Sequence, residues 1–138
     1  MPPWSCPECG RLFARTRQGH ECAPAMSLEG FLSGGPPHEA PIVEAILAGL
    51  ADLEVHVEPV SVGVFLKRPR KFAELRTMTR WEAVSFTLGR TLRSPRISRK
   101  VLDTGRGYWH VVNVRSVDEV DDELLGWLVE AYEHAAQP

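Results

Sequence analysis

The chemistry-bearing residues of this chain are concentrated near its start, where all three cysteines lie at positions 6, 9 and 22. Cys6 and Cys9 enclose two residues, a spacing that lets two thiolates bend toward one metal ion, and Gly10 can take the positive φ of such a turn. His20 and Cys22 supply two further ligands, so three thiolates and one imidazole complete a tetrahedral set of the structural kind. The sequence therefore predicts a Zn²⁺ ion held by Cys6, Cys9, His20 and Cys22.

The second ligand pair cannot lie on a regular helix. His20 and Cys22 would point about 200° apart at roughly 100° per residue, so a turn after Gly19 must present them. The alternative interpretation is three unligated cysteines in a flexible tail, but two ligand pairs at this spacing favour metal binding. Because zinc binding can fold a segment with few apolar residues, the ion is expected to act as a structural staple.

The chain as a whole has 138 residues, 43 % hydrophobic residues and a formal net charge of −2, which is the composition of one modest globular domain with a small appendage. No apolar run approaches the length of a membrane span and no signal peptide is recognisable, so a cytoplasmic protein is expected. Proline and glycine are frequent from Ala23 to Pro41, which is typical of a linker, with a docking turn around Leu28, Phe31 and Leu32. The predicted division is a zinc-binding module at 1–23, a linker at 24–40 and a main domain at 41–138.

The main domain is predicted to have an α+β fold, in which an N-terminal and a C-terminal helix flank an antiparallel sheet of five or six strands. An apolar stripe predicts the first helix from residue 42, and Ser116 is the predicted cap of a closing helix over 117–136. Alternating residues predict two strands joined at 58–61, a hairpin of 71–79 and 81–88, a strand near 97–102 and another at 108–114. The inward candidates of the hairpin are Phe72, Leu75, Val84, Phe86 and Leu88.

The order of these segments carries a resemblance to a known family. The chain runs from CPxCGRxF through QxH and a cysteine to "SVGVFLKRPRKFAEL", "LRSPRI", "YWHVVNV" and "VDDELLGWLVEAY". In this order it resembles the bacterial domain-of-unknown-function family 5655, in the form that bears an N-terminal zinc element. The resemblance covers essentially the whole chain and implies the fold, but it implies no activity and no catalytic residues.

Charge is strongly segregated along the main domain. Eleven basic residues and only two acids lie between Lys67 and Lys100, whereas Asp118 to Glu133 holds seven acids and no base. Arginine binds phosphate in bidentate geometry, and Trp81, Tyr108 and Trp109 could stack on unpaired bases. The predicted nucleic-acid-binding residues, placed on one outward sheet face, are Arg68, Arg70, Arg76, Arg80, Arg90, Arg93, Arg96 and Arg99.

Other interpretations of these charges remain open. The arginines could be solvated, or could pair with the acidic helix of the same molecule. The zinc module and that helix could instead bind a protein partner, which would make the chain an adaptor. Tyr108 and His110 could form a small-molecule or catalytic pocket, although a lone strand histidine is more often a packed or surface residue and no recognised catalytic motif accompanies it. The sequence therefore favours a non-enzymatic binding protein whose partner is nucleic acid or another polyanion.

Overall fold

A computed structural model describes residues 3–7, 10–19 and 27–136. The helices are α1 (Leu28–Ser33), α2 (Glu39–Gly49) and α3 (Asp122–Ala135), and a 3₁₀ turn covers Val117–Glu119. The strands are β1 (Trp4–Ser5), β2 (Leu12–Phe13), β3 (His56–Val60), β4 (Gly63–Lys67), β5 (Lys71–Thr77), β6 (Glu82–Leu88), β7 (Leu102–Asp103) and β8 (Tyr108–Val114). None of the helices in these ranges is both long enough and apolar enough to cross a membrane.

The main sheet is antiparallel throughout and has the strand order β3-β4-β5-β6-β8-β7. This confirms the predicted α+β class and the six-strand sheet. Leu66, Ala73, Phe86 and His110 are neighbours across four strands, and all four are buried on the face that packs against the helices. Because alternate residues of a strand point to opposite faces, the residues between them form the second face of the sheet.

A β-bulge explains why Phe72 and Leu75 are both buried although they are three residues apart. Leu66 pairs with Ala73, but Lys67 pairs with Lys71, so Phe72 is an extra residue in β5. Its ring packs edge-on against Tyr132 of α3, with 5.6 Å between the ring centroids. The bulge therefore turns Phe72 toward the helices, although regular alternation from Ala73 would point it to the other face of the sheet.

The turn between β3 and β4 is shorter than predicted. Glu58, Pro59 and Val60 belong to β3, so the connection contains only Ser61 and Val62. Pro59 fits in β3 because this strand lies at the edge of the sheet. A backbone N–H that points away from β4 has no strand to bond there, so proline, which lacks an N–H, loses no sheet hydrogen bond. Gly63 is required next to this turn, since a Cβ atom there would lie 2.2 Å from the backbone oxygen of Leu75.

The helix boundaries also differ from the sequence prediction. The cap of α3 is Asp121, whose carboxylate accepts a hydrogen bond of 3.0 Å from the N–H of Leu124. Ser116 instead precedes the separate 3₁₀ turn and makes no side-chain cap bond. The range predicted as a linker contains α1, which is capped by Ser27 and packs Leu28 against the core.

Two buried carboxyl groups connect α2 to the sheet. The hydroxyl of Thr77 in β5 forms hydrogen bonds with Glu39 of α2 and with Glu82 of β6. Glu39 is 1 % exposed and Glu82 is fully buried. Burial raises the pKa of both groups, and that of Glu82 reaches about 7, although the Thr77 hydroxyl opposes the shift.

Candidate anion-binding site

Only one of the four predicted zinc ligands falls within the described residues. Cys6 is buried in the turn between β1 and β2, where its carbonyl accepts a hydrogen bond of 2.8 Å from the N–H of Gly10. Gly10 has a φ of +75°, as predicted for a glycine in a tight turn. Cys9, His20 and Cys22 lie outside the described residues, and within the described ones no group of three or more metal-binding side chains converges.

The β1–β2 hairpin is held against the main sheet by a buried ion pair. The carboxylate of Glu58 in β3 lies 3.0 Å from the ammonium of Lys67 in β4, and it accepts a hydrogen bond of 2.7 Å from the N–H of Leu12. Lys67 donates to the carbonyl of Leu12 at 2.7 Å, and its ammonium lies 4.3 Å from the centroid of the Phe13 ring. The hairpin therefore contacts the sheet through both backbone and side-chain groups.

The hydrogen bond from Leu12 and the ion pair with Lys67 together favour the ionised form of Glu58. Burial alone would raise the pKa of the Glu58 carboxyl, but the hydrogen bonds from Leu12, Lys67 and Arg11 lower it overall. Burial lowers the pKa of the Lys67 ammonium, and the adjacent carboxylate offsets part of this shift. The hairpin is thus attached through an ionised carboxylate that water hardly reaches.

The structure does not place the eight predicted arginines on one sheet face. Arg76 lies in β5, and the other seven lie in connections between strands. The tight connection after β4 illustrates why: the N–H of Arg68 bonds the carbonyl of Arg70 at 2.8 Å, so this basic segment turns instead of continuing a strand. Pattern alone could not distinguish such a turn from an alternating strand.

Two of these arginines pair with the acidic helix, as one alternative interpretation anticipated. Arg90 forms two hydrogen bonds of 2.9 Å with Glu130 of α3. Arg96 contacts the carboxylates of Asp121 and Glu123 at 2.8 and 3.1 Å, at the start of the same helix. These guanidinium groups are therefore partly neutralised within the molecule.

A different set of cations gathers at one end of the sheet. Strands β4 and β6 end there, and β5 and β8 begin there, so the β4–β5 and β7–β8 connections are neighbours. This arrangement brings together a set of residues that we call the cationic end: Arg68, Arg70, Lys71 and Arg106. Arg76 and Arg80 lie toward or at the opposite end, where β5 stops and β6 starts.

A cleft of about 680 Å³ opens at the cationic end. Arg70, Lys71 and Arg106 line it, and Trp109 of β8 contributes an aromatic side chain. Lys71 is partly neutralised by the Glu74 carboxylate, 2.9 Å away. Within the described part of the chain, Arg70 and Arg106 form no ion pair, so their charges are available to a ligand.

The β7–β8 turn forms one wall of this cleft and is firmly held. The N–H of Thr104 bonds the carbonyl of Gly107 at 2.9 Å, and the imidazole Nε2 of His134 lies 2.8 Å from the carbonyl oxygen of Arg106. Gly107 has no room for a side chain, because a Cβ atom would lie 2.7 Å from the backbone oxygen of Leu88. The turn therefore holds the backbone of Arg106 against the end of α3.

His110 lies in the core and not in this cleft. It is fully buried, and its ring stacks on Phe86 with 5.5 Å between centroids and a 10° angle. Its Nε2 accepts a hydrogen bond of 3.0 Å from the N–H of Leu92, and burial lowers its pKa, which favours the neutral ring. The structure thus favours the packed interpretation of His110. Tyr108, two residues earlier in β8, is half-buried and pairs with Leu88 at the cationic end of the sheet.

Arg106 was missed as a candidate binding residue. The sequence Gly105-Arg106-Gly107 lies between the predicted strands near 97–102 and at 108–114, and glycines at such a position favour a turn that exposes the arginine, so a signal existed. Lys71 and His134 reach the cleft through contacts that depend on the strand order and on the position of α3. No local pattern shows those contacts.

Residues 29–135 match the sequence model described as "Domain of unknown function (DUF5655)". The chain belongs to this family. The matched range begins within α1 and includes all six strands of the main sheet, the cleft and α3. No curated protein and no solved structure matched the chain.

Proposed function

We propose that this chain is a non-enzymatic cytoplasmic protein that binds nucleic acid through the cationic end of its sheet. The observation that carries the proposal is the pairing of two unneutralised guanidinium groups, Arg70 and Arg106, with the aromatic Trp109 around one cleft. Guanidinium groups bind phosphate oxygens in bidentate geometry, and aromatic rings stack on bases. Nucleic acid is the polyanion that uses both kinds of contact.

The cationic end supports this proposal better than the sequence-predicted arginines do as a set. Arg90 and Arg96 are engaged with α3, and Arg80 lies at the opposite end of the sheet. The guanidinium of Arg68 lies 3.9 Å from the centroid of the Tyr132 ring, a cation–π contact that fixes the side chain without neutralising it. Phosphate binding is therefore expected to be local and to involve about three cations.

Fluorescence anisotropy with labelled single-stranded DNA and RNA of random sequence tests the function. We expect micromolar affinity at about 50 mM salt and a loss of roughly twentyfold at about 200 mM, since about three phosphates are neutralised. Arg106→Ala should weaken binding about fivefold and reduce the salt dependence. Arg80→Ala is the matched control, because it removes an exposed arginine at the other end of the sheet.

The two variants decide between a local site and general charge attraction. A loss in Arg106→Ala without a loss in Arg80→Ala supports the proposal. Equal effects of the two variants would contradict a site at the cationic end, and no binding at low salt would contradict nucleic-acid binding itself. In that last case a protein partner becomes the better hypothesis.

We also propose that the N-terminal hairpin carries a Zn²⁺ ion with Cys6, Cys9, His20 and Cys22 as ligands. The buried Cys6 and the positive φ of Gly10 are compatible with a two-thiolate turn. When bound, the ion supplies a structural cross-link and no reaction step. The residues of the chain that attach this hairpin to the sheet are Glu58 and Lys67.

A further inference from the structure

The cleft at the cationic end has two chemically different parts. Its apolar lining comes from Phe72, Leu102, Trp109, Ala131 and Ala135. Its charged lining comes from Arg70, Lys71 and Arg106, with the Glu74 carboxylate beside Lys71. A volume of about 680 Å³ lies in the ordinary range for small-molecule sites, which are mostly apolar with a few polar groups. A planar apolar group joined to an anion matches both parts.

Trp109 is the only tryptophan among the described residues that lines this cleft. It is half-exposed and lies between Thr87 of β6 and Leu102 of β7 on the same face of the sheet. Trp127 is 9 % exposed and stacks on Phe86 in the core. Trp81 lies at the opposite end, where the Arg115 guanidinium stands 5.6 Å from its ring centroid.

The anion of the ligand is assigned to Arg70 and Arg106. Lys71 is less suitable because Glu74 already lies 2.9 Å from its ammonium, and Arg76 contacts the other oxygen of that carboxylate at 3.0 Å. Arg70 comes from the β4–β5 connection and Arg106 from the β7–β8 turn, so the two guanidinium groups reach the cleft from different connections. Two guanidinium groups can share the oxygens of one phosphate.

The wall formed by the β7–β8 turn is fixed in place. Its backbone is fixed to α3 through His134 and packed against Leu88 at Gly107. A base can reach Trp109 only when it is free of its partner strand, because a paired base presents its face to its neighbours in the stack. The cleft therefore favours an unpaired nucleotide.

We propose that this cleft is a pocket for one unpaired nucleotide, with the base against Trp109 and a phosphate bound by Arg70 and Arg106. The inference rests on the proposed function, and it makes that function specific for single strands or strand ends over duplexes. Phosphate contacts outside the pocket would be open to single strands and duplexes alike, so the pocket itself must provide the preference.

The test compares two tryptophan variants, Trp109→Leu and Trp81→Leu, on a single strand and on a duplex of the same length. Trp109→Leu should weaken single-strand binding about tenfold, as expected for the loss of one stacked base, while duplex affinity stays within about twofold. Trp81→Leu should change neither affinity, although it also removes a half-exposed tryptophan near an arginine. Trp109→Phe should restore most of the single-strand affinity, because it keeps an aromatic face.

Adenosine 5′-monophosphate, titrated by calorimetry, separates the pocket from the proposed function. In one outcome, strands bind, and Trp109→Leu either weakens the binding of single strands and duplexes equally or weakens the binding of neither. This outcome overturns the pocket and leaves the proposed function in place. If no strand binds but the mononucleotide does, and Trp109→Leu abolishes that binding, the pocket is supported and the proposed function is overturned. If neither strands nor the mononucleotide bind, both are overturned.

Discussion

At the residue scale, the hydroxyl of Thr77 poses a problem of proton count. It has one proton to donate, yet carboxyl groups of Glu39 and Glu82 both lie within hydrogen-bonding reach. Two ionised carboxylates cannot both accept from it, and their mutual repulsion in a buried site is unfavourable. A proton held by one carboxyl resolves both difficulties, since a neutral carboxyl can itself donate to the hydroxyl oxygen.

This proton makes the stability of the fold depend on pH. The pKa of Glu82 is about 7 in the folded protein against an ordinary value of 4.5, because burial favours the neutral form. The contribution of the raised Glu82 pKa to the free energy of unfolding is therefore complete below about pH 4.5 and is lost as the pH rises through about 7. Glu82→Gln should raise the free energy of unfolding at about pH 8 by up to roughly 3 kcal/mol and change it little at about pH 4.

Chemical unfolding at both pH values measures this effect. Glu44→Gln, on the exposed side of α2, is the matched control and should not alter the pH dependence. The charge of His38 lowers the pKa of the Glu39 carboxyl. Arg76 lines a second cleft, which Glu39 and Thr77 also line. An equal change in Glu82→Gln at both pH values would contradict a raised pKa of this carboxyl in the folded protein.

Single residues were the least predictable part of the candidate site. Arg70 and Trp109 were identified from their types, but Arg90 and Arg96 were assigned the same role and instead contact α3. Whether an arginine meets a carboxylate or solvent depends on residues 25 to 40 positions away. Charge pattern within a short segment contains no such information.

At the scale of elements, the sequence was more informative. Alternation predicted β8 with its observed bounds, and the β5–β6 hairpin to within two residues. The odd spacing of Phe72 and Leu75, both expected to be buried, was itself a signal for the bulge that the structure contains. The ends of elements were harder, because Pro59 looks like a turn residue unless the strand is known to be at an edge.

The contact between the β1–β2 hairpin and the sheet gives a prediction at this scale. Glu58→Gln removes the charge that balances the buried Lys67 and weakens the carboxylate's bonds to Arg11 and Leu12. We expect the free energy of unfolding to fall by about 3 kcal/mol at neutral pH. Amide exchange measured by mass spectrometry should also become faster in residues 11–13.

The pH dependence provides a second check on this contact. The pKa of the Glu58 carboxyl is lowered in the folded protein, so its stabilising effect is present above the ordinary value and is lost as the pH falls through the folded pKa. The difference between Glu58→Gln and the parent should therefore shrink in acid. Glu54→Gln, an exposed neighbour, should be neutral; an equal loss in both variants would contradict a role for the buried pair.

At the scale of the whole molecule, the charge segregation seen in the sequence becomes a difference between arginines that pair with α3 and arginines that do not. Arg70 and Arg106 at the cationic end form no ion pair among the described residues, whereas Arg90 and Arg96 are tied to the acidic α3. An asymmetric field orients an approaching polyanion before contact and raises the rate of association. The net charge of −2 does not reveal this asymmetry.

The proposed metal makes a prediction about how the molecule is divided. Cys9→Ser should abolish stoichiometric zinc, measured by elemental analysis, because a structural site loses affinity when a thiolate is removed. The main sheet should still unfold cooperatively, since its core is formed by the sheet and helices without the hairpin. Zinc retained at one ion per chain in Cys9→Ser would contradict the ligand set.

The two edges of the main sheet have a consequence for growth by strand addition. One edge is β3, which contains Pro59 and contacts α1, and the other is β7, which pairs over only two residues. Neither offers a second chain a long row of unpaired amides, the template on which amyloid-like stacking begins. The edges of the fold therefore disfavour cross-β polymerisation.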